Sequence, residues 1–137
     1  AIDYRHGFRD VVKELTDGRG ADVIYDPVGG DIFDESMRCI NWGGRLLVIG
    51  FTSGRAAQAR TNHILIKGIS VIGVRAGEIG RRDPAVVERN MRVLMDWLAD
   101  GRLRPHISHR FPLERVADAM QAIIDRKVIG RAVLTLE

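Results

Sequence analysis

The sequence predicts an α/β fold built on a parallel β-sheet. Val23-Ile24-Tyr25 and Leu46-Leu47-Val48-Ile49 are apolar runs of strand length, each leading straight into a glycine turn, and a helical segment lies between them. Strand, helix, strand in that order forces parallel strands joined by a crossover helix. In such sheets ligands bind beyond the carboxyl ends of the strands. That places the chemistry at Pro27-Val28-Gly29-Gly30 and at Gly50-Phe51-Thr52-Ser53-Gly54.

The elements follow in order from the N-terminus. Phe8, Val11, Val12 and Leu15 recur at helical spacing and Gly18 is a stop signal, so a helix is expected over about residues 7–17. A strand at 22–26 comes next. Gly30 or Asp31 opens a second helix with Phe33, Met37 and Ile40 on one face, which Asn41 to Gly44 end before a strand at 45–49. The polar, small-residue stretch 52–60 reads as a loop, 62–67 as a short helical turn, and 69–74 as a third parallel-type strand. Asp83-Pro84 is a helix start, with Asp as N-cap and Pro at the first helical position. Val87, Met91, Leu94 and Leu98 should line one face of that helix until Gly101. Residues 105–111 read as extended. Pro112-Leu113 then opens a helix expected to turn Leu113, Val116, Ala117, Met120, Ile123 and Ile124 inward, and 132–136 is a closing strand.

At 137 residues the chain has the size of one ordinary domain, and its longest apolar runs are strand-length. A membrane partner or secretory leader is therefore not expected, and Cys39, the only cysteine, fits a reducing compartment, the cytoplasm. The start, Ala1-Ile2-Asp3-Tyr4 with no initiating Met, reads as the tail of a strand already under way, so the chain is expected to be a fragment. The formal charge of +3 comes mostly from arginines of the middle third. They are dispersed among acids without interleaved aromatics, which argues against nucleic acid and suits anionic phosphates. His106 and His109 would point to opposite faces of a strand and so make a poor metal pair. Asp31, Asp34 and Glu35 read as a cluster favoured by a helix N-terminus. No catalytic residue and no metal ligand is named.

GADVIYDPVGGDIF, WGGRLLVIGFTSG, ILIKGISVIGV and FPLERVADAMQAIIDRKVIGRAVLTL together resemble the C-terminal part of a zinc-independent medium-chain dehydrogenase/reductase, nearest to the NADPH:quinone oxidoreductases. The resemblance covers essentially the whole chain. It implies the second half of a Rossmann domain, a doubly wound parallel sheet, over residues 1–104, and a segment over 105–137 that returns to a GroES-like catalytic domain. No G-x-G-x-x-G turn opens a helix after a strand, so the family's pyrophosphate turn is absent from this stretch. The implied cofactor is NADPH, or NADH. The implied reaction is hydride transfer to a small molecule, a quinone or α,β-unsaturated carbonyl. Enoyl-thioester reduction and a non-catalytic nucleotide-binding module are the alternatives.

The same resemblance implies the site residues. Pro27, Val28 and Gly29 would pass the adenosine half of the cofactor, although Gly29-Gly30 also suit a tight turn. Gly50, Phe51, Thr52 and Ser53 would run along its ribose and nicotinamide side, with amides and hydroxyls as donors. Val74 and Arg75 stand at the next strand tip, where Arg75 reads equally as a solvated charge. Arg126 would reach the phosphates through its planar fork, or simply complement a helix end. The family also implies a homodimer paired through the strand at 69–74.

Overall fold

The two apolar runs lie side by side and parallel in the computed structural model, which describes residues 1–136. Strand β1 (Ala21–Asp26) pairs with β2 (Ile40–Val48), and β2 pairs with β3 (Ser70–Gly73), giving the sheet order β1-β2-β3. Helix α1 (Arg9–Leu15) precedes β1, α2 (Gly30–Cys39) crosses from β1 to β2, and α3 (Thr61–Lys67) crosses from β2 to β3. Helices α4 (Ala76–Arg82) and α5 (Pro84–Ala99) follow, then β4 (Ile107–Pro112), a single 3-10 turn at Leu113–Arg115, α6 (Val116–Ile124) and β5 (Arg131–Thr135). The chain forms two units, Ala1–Glu78 and Ile79–Glu137, with the division inside α4. Among the described residues no helix is long and apolar enough to cross a membrane.

In the first unit the core is Phe33, Met37, Ile40, Leu46 and Ile69, with Ile24, Val48, Ile64 and Val71 packed around it. Alternation along β1 and β2 sends Ile24, Leu46 and Val48 toward α2 and α3, and Val23 and Tyr25 to the opposite face, where both are exposed. Fully burying residues the size of Phe33 and Leu46 stabilises the unit by about 2–3 kcal/mol each.

Helix ends are tied by distant side chains. Glu35 Oε1 accepts from the Phe8 and Arg9 amides at 2.6 and 2.9 Å, capping α1 from 27 residues away. Lys67 Nζ donates to the carbonyls of Met37, Arg38 and Ile40 at 2.9, 3.2 and 3.3 Å, closing the end of α2. Burial pushes the Lys67 ammonium below its ordinary pKa, with nearby Lys13 adding to the effect.

Three points differ here from the sequence reading. Asn41 to Gly44 do not separate helix from strand, because β2 begins at Ile40. The register jumps from Ala21↔Ile40 to Val23↔Arg45, and the excess residues bulge out through Gly43 at φ +73°. Helix α4 has no counterpart in the sequence reading, since Gly77 and Gly80 obscure it. Ala1 to Asp3 are irregular and lead into a 3-10 turn at Tyr4–His6, not the tail of a strand.

In the second unit β4 and β5 are parallel and α6 packs on both. The expected inward face of α6 is reversed. Ala119 and Ala122 are buried, whereas Leu113, Val116, Met120, Ile123 and Ile124 are exposed. A two-stranded sheet is narrow, and small side chains let the helix approach it closely. Asp83 caps α5 as expected, its carboxylate accepting from the Ala85 amide at 3.1 Å. Val87, Met91, Leu94 and Leu98 share a face of α5, but none is buried.

Candidate functional site

The tips of β1 and β2 are bound to one another. Asp26 ends β1 and is 2% exposed, and its Oδ1 accepts from the Val28 and Gly29 amides at 2.8 and 2.9 Å. This folds the chain back over the strand end. The carbonyls turned outward, those of Pro27 and Val28, accept from the Thr52 and Ser53 amides at 3.1 and 3.0 Å. Ser53 Oγ also exchanges hydrogen bonds with the Arg55 backbone. The 50–53 loop was expected to offer its amides to a ligand. Those of Thr52 and Ser53 instead join two loops, leaving the Gly50 and Phe51 amides and the Thr52 hydroxyl without such ties among the described residues.

The two glycines of this region play different parts. Gly29 has φ +70°, and a Cβ there would lie 2.8 Å from Phe51 Cδ1 and 3.0 Å from the Arg55 carbonyl. The residue is required by the approach of the neighbouring loop. Gly50 has an ordinary φ, and its Cβ would meet only the Pro27 carbonyl, at 3.4 Å. Its open side faces a cleft of about 430 Å³ lined by Val48, Ile49, Gly50, Phe51, Val74 and Arg75. The Val74 amide donates to the Val48 carbonyl at 2.9 Å, which aligns the tips of β2 and β3 as the walls of that cleft.

Of the ten residues named from sequence, Gly50, Phe51, Val74 and Arg75 therefore share one cleft. Pro27, Val28, Gly29, Thr52 and Ser53 form the doubled loop beside it. Arg126 belongs to the second unit, in the turn after α6, with φ +56° and its amide on the Ile123 carbonyl at 3.0 Å. Sequence reasoning missed Asp26, which organises the first loop, and Arg55, which bonds Asp31 at 2.6 Å and Asp34 at 3.2 Å. An Asp immediately before a Pro-x-Gly-Gly turn was the available signal for the former. Nothing local marked Arg55.

The zinc-binding dehydrogenase family model matches residues 1–134. The chain belongs to that family. A quinone oxidoreductase-like protein 2 homolog of Nematostella vectensis is 39% identical over 135 residues, which are 97% of this chain and 37% of that protein. The crystal structure of a quinone oxidoreductase from Pseudomonas syringae superposes with a TM-score of 0.84 at 26% identity, covering 98% of this chain and 42% of the other. A mycobacterial protein solved with NADPH shares the fold, with a TM-score of 0.82 at 24% identity over 99% of this chain and 41% of its own. The chain thus spans about two-fifths of the length of the relatives it matches. Among its described residues no group of three or more His, Cys, Asp or Glu could hold a metal ion.

Proposed function

We propose that the chain is part of an NAD(P)H-dependent, zinc-independent oxidoreductase. In this reading residues 1–104 complete a Rossmann domain and 105–137 return to a GroES-like catalytic domain. The observation that carries it is the cleft at the tips of β2 and β3, the position where parallel sheets take their ligands. The residues there suit a dinucleotide. Val48, Ile49, Val74 and the half-exposed Phe51 offer apolar walls to a flat ring, Gly50 leaves room for it, and Arg75 brings a cation to the rim.

When bound, NADPH, or NADH in its place, supplies the hydride, and this part of the protein supplies position and electrostatics. Gly50 sets how deeply a ring enters, and Phe51 shields that ring from water. The Thr52 hydroxyl and the Gly50 and Phe51 amides are donors for ribose or carboxamide oxygens. The Asp26-organised loop Pro27-Val28-Gly29 keeps the 50–53 loop in place through its two carbonyls. Arg126 is assigned to the cofactor's phosphates.

The acceptor is a small molecule, a quinone or an α,β-unsaturated carbonyl, a choice supported by the quinone oxidoreductase names among the relatives. The protein works in the cytoplasm as a homodimer without nucleic-acid or membrane partners. The test titrates the protein, in the longest form its gene encodes, with NADPH and follows nicotinamide fluorescence, then assays turnover with quinone and enone acceptors before and after chelation. Saturable binding and chelator-resistant turnover are expected. Absence of binding, or turnover that needs added zinc, would overturn the reading.

A further inference from the structure

A second cavity of about 280 Å³ lies in the first unit between α2, the segment 55–60 and the start of α3. It shares no lining residue with the cleft at the strand tips. Arg38, Arg55 and Arg60 face a single carboxylate there, Asp34, with Gln58 and His63 completing the polar wall. Asp34 is already taken by Arg55, which also holds Asp31. Arg38 and Arg60 have no ion pair among the described residues. On one side the adjoining cavity shares Arg38 and His63 and adds Lys13, Lys67 and Arg9, the last paired with Asp10. On the other side the adjoining cavity shares Asp34 and Arg38 and adds the carboxylates Asp10, Asp31 and Glu35, so the cationic stretch is confined to Arg38, Arg60 and the Lys13 side.

The backbones that carry these cations are fixed. The Arg60 carbonyl accepts from the His63 and Ile64 amides at 3.0 and 3.3 Å, and the Arg38 carbonyl accepts from Lys67 Nζ at 3.2 Å. The two guanidinium groups are carried on anchored segments and line one cavity, where they can converge on an oxyanion, which arginine recognises with paired, charge-assisted hydrogen bonds. Sites for whole cofactors and drug-sized ligands run from about 300 to 1,000 Å³. This cavity lies just below that range, and suits a phosphoryl group with little attached to it.

We propose that this groove is an anion site for a phosphoryl group, free or as a small monoester, distinct from the cofactor cleft. The proposal does not depend on the hydride-transfer reading. Its test uses the protein in the longest form its gene encodes, titrated by calorimetry with inorganic phosphate and with phenyl phosphate, in the absence and presence of saturating NADPH. Saturable binding of at least one probe is expected, unchanged by NADPH. The pair Arg38→Gln and Arg60→Gln should weaken it roughly tenfold or more, one decade in affinity per 1.4 kcal/mol. The pair Arg89→Gln and Arg92→Gln on α5 removes equal charge from exposed positions outside the groove and should leave binding within about twofold of wild type. The proposal is overturned if neither probe saturates, if the α5 pair weakens binding as much as the groove pair, or if NADPH displaces the probe. Circular dichroism of each variant checks that the fold persists.

Discussion

Asp26 and Gly29 are joined by a 2.9 Å hydrogen bond from the glycine amide to the buried carboxylate, and the same glycine admits no Cβ because Phe51 and the Arg55 carbonyl lie against it. The loops after β1 and β2 are thereby one structural object. Asp26 Oδ2 has no hydrogen-bond partner within the described residues, so the carboxylate acts through Oδ1. Asp26→Ala would leave the Val28 and Gly29 amides without an acceptor and should destabilise by about 3 kcal/mol. Asp26→Asn retains an acceptor oxygen and should cost less. Urea denaturation of both variants checks the order.

Gly29→Ala and Gly50→Val should separate stability from binding. The positive-φ backbone at position 29, φ +70° with ψ −159°, alone costs an alanine about 1–3 kcal/mol, and the contacts with Phe51 and Arg55 add to this. Gly50→Val has space apart from the Pro27 carbonyl, and its bulk enters the cleft. A melting temperature near wild type with at least about tenfold weaker NADPH binding is expected for Gly50→Val, and the opposite pattern for Gly29→Ala. Melts without cofactor paired with fluorescence titrations decide it. Apo destabilisation of Gly50→Val with unchanged affinity would reduce this loop to a scaffold.

The 137-residue chain alone should bind NADPH weakly or not at all, because no glycine-rich pyrophosphate turn lies within it. Calorimetry on this chain and on the longest form the gene encodes compares the two. Micromolar binding by the shorter chain would contradict the assignment of the missing turn.

The proposed dimerisation through β3 has a specific backbone test. The Val74 amide points to β2, bonding the Val48 carbonyl, so by the two-residue period of a strand the Val71 amide points to the open edge. Val71→Pro would remove an outward donor while β2–β3 pairing persists, and should shift a homodimer toward monomer. Light scattering at low micromolar concentration measures this. A folded variant that stays fully dimeric would place the interface elsewhere.

Cys39 gives a pH signature. Burial, followed by the nearby Glu35 carboxylate, pushes its thiol above the ordinary 9.0. Between 9.0 and the raised value the unfolded chain has lost the proton that the folded chain retains, so stability falls as pH rises through that window. Cys39→Ala has no thiol to titrate. Urea midpoints from pH 8 to 10 should fall more steeply for wild type than for the variant, and parallel curves would contradict the burial of the thiol.

Periodicity and turn chemistry alone determined the parallel βαβ core, the Asp83 cap of α5 and the two strand tips where a site would form. These are local signals, readable because strand alternation, helix spacing and cap residues act over a few positions. Tertiary structure decided what no local signal carries. It set Glu35 on the first turn of α1, Lys67 on the end of α2 and Arg55 on Asp31 and Asp34, pairs separated by more than 20 residues. It turned the Thr52 and Ser53 amides away from solvent onto the Pro27 and Val28 carbonyls, and it buried Ala119 and Ala122 of α6 where the larger apolar side chains were expected. A hydrophobic stripe shows that a helix has a face to cover, but the width and closeness of the surface it meets select which residues are covered.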